Sequence, residues 1–329
     1  MPKLLCIGEI LVEMVAADVD QSWLEPATWH GPFPSGAPAI LADQAALCGA
    51  TVDLVGSVGA DPFGEACLAR LRRSGVGLEH VRVDDTGTTG VAFVRYSASG
   101  ARSFVFHLPE TASGRFRLDD PATALADVGL VHVMGSTAFS ADAVAAIGRF
   151  VDDASARGVP VSFDPNLRPE MLRRPEHVAE LRRILLGARV VLASEGELPA
   201  LLGDASDAAC AARLLGGAAQ VVVVKRGAAG ASLFEPGRPE AREPGVAVHE
   251  VDPTGAGDCF GGTFLALYLS GTDPTTALRY ANLAAGLSVT QRGPMSGNRS
   301  LADLEAALRS PAPGSGRPSQ SAGPSSGAL

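Results

Sequence analysis

The chain has 329 residues, 46% of them hydrophobic, and a formal net charge of −9. This is enough for one large α/β domain or two modest ones, and the acidic balance argues against nucleic acid or an anionic membrane as the main partner, leaving room for a local basic pocket that takes phosphates. Cys6, Cys48, Cys67, Cys210 and Cys259 are odd in number and lack C-x-x-C spacing, which indicates neither a disulfide framework nor a zinc site but buried thiols in a reducing compartment. No apolar run approaches the roughly 20 residues of a membrane span. The first residues lack a signal-peptide core and cleavage site, so a cytoplasmic protein is expected.

In chain order, Leu4 to Ile7 is a short apolar strand that Gly8-Glu9 ends or bulges before Ile10 to Met14 resumes the extended pattern. Residues 15–34 hold Trp23, Trp29 and three prolines and read as irregular. A helix of small residues follows, Ala39 to Cys48, with Ser35 or Gly36 near its N-cap, Pro38 in the first turn and Gly49 at its stop. Close helix packing explains those small residues, and contact between the helix N-terminus and a ligand's hydroxyls is the functional alternative. Val52 to Val58 is a strand, and Asp61-Pro62 opens a helix ending near Gly75. Val91 to Tyr96 and Ser103 to Phe106 form a hairpin, an antiparallel piece suited to a lid, an interface, or both.

From Leu130 strands and helices alternate: strands at 130–133, 160–163, 189–192 and 221–225, helices at 141–156, 178–186, 195–202 and 208–215. This rhythm predicts an α/β fold, a mostly parallel sheet flanked by helices on both faces, and the hairpin that interrupts it marks a small β lid, taken from about 11–34 and 86–112. The α/β domain would span 1–310, and the Pro-, Gly- and Ser-rich residues 311–329 read as a disordered tail.

Ligands on such sheets bind at the carboxyl ends of strands. Four polar motifs fall there: Asp164-Pro-Asn-Leu-Arg168, Ser194-Glu-Gly-Glu197, Lys225-Arg-Gly227 and Asp252-Pro-Thr-Gly255-Ala256-Gly257-Asp258. Each has a bland reading, respectively a turn, a capping box, a hairpin start and a capped helix. The last lies between a predicted strand, Val246 to Val251, and an apolar helix from Phe260. Free N–H groups, the positive end of the helix dipole and glycines together make such a junction an anion site. Asp258 within it either caps the helix or takes a proton from a hydroxyl attacking a phosphate held there. As an ordinary aspartate it would already be ionised at neutral pH. Lys-Ser or Lys-Thr does not follow the glycines, so this is no Walker A loop, and Gly255-x-Gly257 is only a weak dinucleotide signal.

Over residues 1 to about 305 the chain resembles the ribokinase-like PfkB family of carbohydrate kinases. Asp252 to Asp258 matches that family's C-terminal signature, and Gly36 with Gly59-x-Asp61-x-x-Gly64 the N-terminal one. The resemblance implies that Asp258 is the catalytic base and that the N–H groups of Gly255, Ala256 and Gly257 form the anion hole. It also implies that Lys225, Gly227 and Asn282 border ATP, and that Ser194 and Glu197 organise Mg2+ and phosphate, Glu197 through water. A monovalent cation, K+, is a further implication near Gly293, and the lid becomes a homodimer surface. Glu13, Gly36, His107 and Arg168 fall at sugar-facing positions, with Glu13 in place of an aspartate, Ser35 in place of a glycine, Ser194 in place of an asparagine and Ile40 where fructokinase-like members have asparagine. His107 appears at the position where sugar-acid kinases of the family carry an arginine. This leaves Arg168 as the strong anion partner and favours a neutral ketohexose, tagatose ahead of fructose, phosphorylated on a primary hydroxyl. A 2-keto-3-deoxygluconate-type kinase is the alternative. A nicotinamide-dependent oxidoreductase and a non-catalytic sugar-binding regulator are the readings from other classes.

Overall fold

The computed structural model describes residues 2–99, 101–168 and 174–309. Its centre is β1 (Lys3–Ile7), which is buried on both faces: Leu4 and Cys6 point into one core, Leu5 and Ile7 into the other. β10 (Val190–Ser194) repeats this alternation, with Val190 and Leu192 on one side and Val191 and Ala193 on the other. A strand covered on both faces shows as an unbroken apolar run, as these do.

Around β1 a nine-stranded sheet is completed by β4 (Val52–Gly59), β5 (Val81–Asp84), β8 (Val128–Met134), β9 (Val161–Asp164), β10, β11 (Val221–Lys225), β12 (Ala231–Phe234) and β13 (Ala241–Glu243). Its order is β13-β12-β11-β10-β9-β8-β1-β4-β5. Pairing is parallel from β5 through to β11, and antiparallel at β11–β12 and β12–β13. One face carries α1 (Ala37–Leu47), α2 (Pro62–Ser74), α8 (Ala256–Leu269), α9 (Pro274–Ser288) and α10 (Leu301–Arg309). The other carries the short α3 (Pro121–Ala124), α4 (Ala141–Ala156), α5 (Pro175–Gly187), α6 (Glu197–Leu202) and α7 (Asp207–Leu215). This is the α/β architecture expected from the alternation.

A second sheet has the order β3-β2-β6-β7, from β2 (Leu11–Ala16), β3 (Trp29–Ser35), β6 (Gly90–Tyr96) and β7 (Arg102–His107). Trp29 to Ser35, expected to be irregular, is therefore a strand. Pro32 and Pro34 are tolerated because β3 is an edge strand paired only to β2, so their missing N–H groups leave no partner unserved. Conversely, Val246 to Val251 is not a strand. Val248 and Val251 are 37% and 46% exposed, and the N–H groups of Val251 and Asp252 bond to the Val289 carbonyl at the end of α9 rather than to a neighbouring strand. The stretch 311–329 lies outside the described residues.

The small residues of α1 serve close packing. A Cβ on Gly262 of α8 would stand 2.4 Å from the Leu41 carbonyl oxygen, so the two helices touch backbone to backbone. Ile40 lies against Gly255, Leu41 against Gly261 and Gly262, and Gln44 donates to Thr263 at 3.0 Å. The two helices thus run in the same direction and present both N-termini to one edge of the large sheet.

Candidate active site

The Asp252–Asp258 turn is built to keep N–H groups free. Gly255 is the N-cap of α8 with φ 81°, has no side-chain cap bond, and a Cβ there would lie 2.6 Å from the Pro294 carbonyl oxygen, so only glycine fits. Among the described residues no acceptor bonds to the N–H of Gly255, Gly257 or Asp258, and that of Ala256 reaches only the Pro253 carbonyl at 3.4 Å. The turn is clamped from behind by Asp252, 2% exposed, whose Oδ1 accepts the Thr254 N–H (3.0 Å) and whose Oδ2 accepts the Gly293 N–H (2.9 Å). Tyr96, on β6 of the small sheet, donates its hydroxyl to Asp252 Oδ1 at 2.6 Å and also meets Thr254 Oγ1.

Asp258 does not cap the helix. It sits within the first turn, 8% exposed, and its Oδ1 accepts from Asn166 Nδ2 at 3.2 Å. Its ionisation corrects the expectation of an ordinary aspartate: burial, reinforced by the charge of Asp164 and opposed by Lys225 and Arg168, pushes the carboxyl up to about 7. Lys225 at the end of β11 donates to Asp164 Oδ2 at 2.5 Å, and its Nζ is 3.4 Å from where a Gly257 Cβ would stand. Burial pulls the ammonium down, but Asp164 and Glu197 more than offset this, so Lys225 stays charged beside the free N–H groups.

Glu197 accepts the Leu167 N–H on Oε1 and the Ser194 N–H on Oε2, both at 2.7 Å. The capping-box reading is half met: the glutamate reaches back, but the N-cap of α6 is Gly196, with φ 82° and no side-chain cap bond. Glu197 thereby ties the ends of β9 and β10 together. Gly227, at φ 54°, has nothing within 4 Å of its Cβ position. Asn282, 6% exposed, donates to the Pro244 carbonyl at 2.6 Å. Its amide braces the 244–245 backbone, which packs against Ala228, instead of opening onto free space.

On the other side of Asp258 the structure gathers Glu13 and Arg168. Glu13 is 5% exposed with Oε2 lacking a hydrogen-bond partner; burial, then Asp252, pushes it up to about 8, with Ser35 and Arg168 pulling back. Arg168 forms no salt bridge among the described residues, and its guanidinium lies 5.3 Å from the Phe104 ring centroid. Gly36, φ 107°, faces the Glu9 carbonyl oxygen, which would stand 2.3 Å from a Cβ. His107 is not in this group. Along β7 side chains alternate: Phe104 and Phe106 face Arg168, whereas His107 is exposed on the opposite face, edge-on to Phe93 with centroids 6.3 Å apart. The neighbouring Phe106 is the residue that shares a face with Phe104, on which it stacks.

A cavity of about 620 Å³ lies elsewhere, between α4 and α5. Among the described residues a group of three metal-capable side chains occurs only at Asp53, Glu79 and His80, at the amino edge of the sheet, where Lys3 already pairs with Asp53 at 2.7 Å. The free N–H groups, the buried base and the paired lysine therefore stand together at the carboxyl edge without a direct metal triad.

A model of the pfkB family carbohydrate kinases matches residues 1–301. The chain belongs to the PfkB family. It is 34% identical over 303 residues to the 2-dehydro-3-deoxygluconokinase of Thermoproteus tenax, covering 89% of this chain and 90% of that protein. Among solved structures, a ribokinase II of E. coli in complex with ATP and Mg2+ is similar at 38% identity and a TM-score of 0.88, covering 94% of this chain and 99% of that one. A fructokinase of Xylella fastidiosa with bound ATP reaches 28% identity and 0.78, covering 93% and 98%. The protein is thus a carbohydrate kinase, and no described helix is long and apolar enough to cross a membrane.

In this PfkB kinase several residues that shape the site carried little signal in the sequence. Glu9 stands two residues past β1, is 5% exposed and accepts from Thr137 Oγ1 at 2.8 Å; it affects the ionisation of Asp258 and feels Arg168. An acid just past a buried strand was the available clue. Asp164 and Asn166 stood in a motif already singled out, but the lysine and the base that they engage are 61 and 92 residues further on.

Proposed function

We propose that this kinase is ATP- and Mg2+-dependent and phosphorylates a primary hydroxyl of a neutral ketohexose, tagatose ahead of fructose. The observation that carries the reading is the pairing of a buried base, Asp258, with the unbonded N–H groups of Gly255 and Gly257 in one turn, beside the ammonium of Lys225 from the end of β11. The γ-phosphate rests on those amides and Lys225 while Asp258 accepts the proton of the attacking hydroxyl. Gly227, with open space above it, and Ser194 border the nucleotide, and Asn282 braces that border. Bound Mg2+ supplies neutralisation of the phosphate oxygens. Each oxygen of Glu197 keeps a lone pair beyond its N–H bond, which suits a water of the metal's shell rather than the metal itself. K+ near Gly293 belongs to the same proposal, with Asp252 the nearby negative charge.

For the sugar, Glu9 and Glu13 are acceptors for hydroxyls, Gly36 gives close backbone approach, Arg168 steadies the sugar or its phosphate, and Phe104 and Phe106 form an apolar wall of the lid. The two buried carboxylates, Glu9 and Glu13, disfavour an acid. A second reading, a sugar-acid kinase, is favoured by the unpaired Arg168 and by the T. tenax relative. ADP formation with tagatose, fructose and 2-keto-3-deoxygluconate decides: the highest kcat/KM for tagatose is expected, and a preference for the acid replaces the neutral-sugar reading. The outer lid face, with Trp29, Phe93 and the 42%-exposed Val105, is assigned to a homodimer in a cytoplasmic protein, checked by sedimentation of Val105→Asp.

A further inference from the structure

The small sheet reaches the phosphate end of the site through one hydroxyl. Tyr96 closes β6 and lies on the same face of the small sheet as Ala92 and Val94, both fully buried. Its hydroxyl donates to Asp252 Oδ1 (2.6 Å) and meets Thr254 Oγ1. Asp252 in turn holds the N–H groups of Thr254 and Gly293, so a single carboxylate receives three hydrogen bonds from three separate segments. Thr254 immediately precedes Gly255, whose φ of 81° opens α8 and aims the free N–H groups. The bond therefore joins the sheet that carries Glu13, Phe104 and Phe106 to the turn that carries the amides.

We infer that Tyr96 is a positioning residue for phosphoryl transfer: its hydroxyl, through Asp252 and Thr254, sets the Gly255–Asp258 turn in register with the small sheet, so that the sugar side and the phosphate side of the site are aligned by one contact. This rests on the reading of that turn as the phosphate site. A hydroxyl is needed there because Asp252 and Thr254 each offer an oxygen to it, and a phenyl ring would leave Asp252 Oδ1 with the Thr254 N–H alone. Alignment of this kind acts on the transition state more than on ground-state binding, so its loss is read in kcat.

The test uses the full chain and four variants, Tyr96→Phe, Thr254→Val, Thr254→Ser and the double Tyr96→Phe/Thr254→Val, with ADP formation measured on the best sugar and melting temperature as the folding check. Tyr96→Phe is expected to lower kcat about tenfold, with KM for sugar and for ATP within about threefold of the parent. The double variant is expected to be no slower than the slower single one, because both remove the same contact. Thr254→Ser, which keeps the oxygen, is expected to restore most of the rate lost in Thr254→Val. A Tyr96→Phe enzyme with kcat within about twofold of the parent, single effects that multiply in the double variant, or an effect confined to KM would each overturn the inference. If Tyr96→Phe proves unstable, the Thr254→Val and Thr254→Ser pair gives the same decision. A parent protein that forms no ADP with any sugar would instead overturn the phosphate-site reading itself.

Discussion

Lys225 Nζ stands 2.5 Å from Asp164 Oδ2 and 3.4 Å from the Cβ position of Gly257, so one ammonium joins the end of β9 to the first turn of α8. The pair is almost wholly withdrawn from water, at 11% and 0% side-chain exposure. Removing one partner of such a pair leaves an uncompensated buried charge, worth about 3–5 kcal/mol. Lys225→Met is expected to lose stability of that order and nearly all activity. Adding Asp164→Asn should recover most of the stability but not the activity. Urea unfolding of the single and double variants checks the first outcome and ADP formation the second.

Asp258→Asn separates catalysis from stability. Its pKa is raised in the folded state, so the stabilising contribution of its neutral form is present below the usual carboxylate range and is lost as pH rises through about 7. The amide retains an oxygen to accept from Asn166 and carries no charge to bury. The variant should lose at least about 100-fold in kcat yet melt at a higher temperature than the parent. That gain should be larger at alkaline than at acidic pH, as measured by thermal scans across the range.

The same carboxyl governs the rate profile of the parent. A base must be deprotonated to accept a proton, so kcat/KM should climb with pH up to about 7, the value to which burial pushes Asp258, and level off beyond it. A profile flat from the ordinary aspartate range upward would show that Asp258 is not the limiting base in the free enzyme.

Two glycines should respond to a methyl group to different degrees. Gly36 combines φ 107° with a carbonyl oxygen 2.3 Å from the new Cβ, so Gly36→Ala must displace Glu9 or the start of α1. A loss of about 2 kcal/mol or more is expected, with activity falling as well. Gly227 has φ 54° and open space around it, so Gly227→Ala should cost only about 1–2 kcal/mol of left-handed strain. Any further effect should appear in KM for ATP. Denaturation midpoints and the two KM values distinguish them.

Much of this was legible in the chain. The buried strands announced themselves because both faces are covered, and the Gly255–Gly257 turn because only glycine tolerates its backbone. What escaped were relations between distant segments. β3 was hidden by prolines that are harmless only on an edge strand, a fact visible once β2 is beside it. That His107 lies on the face away from Phe104 was hidden because the register of β7 against β6, Val91 opposite His107, decides which face a side chain takes. The elevated Asp258 pKa followed from burial and from Asp164, neither of which is written beside it in sequence.

The small sheet is assembled from two excursions of the chain, 11–35 and 90–107, and its central pair, β2 with β6, takes one strand from each. Neither excursion can complete the sheet alone, since Glu13 arrives with the first and Phe104, Phe106 and Tyr96 with the second. On the proposed reading of the site, the wall that the small sheet offers the sugar is therefore a two-part module. A transplant of either segment by itself would bring half a binding wall and an unmatched strand, whereas both moved together carry their own pairing partner to the new host.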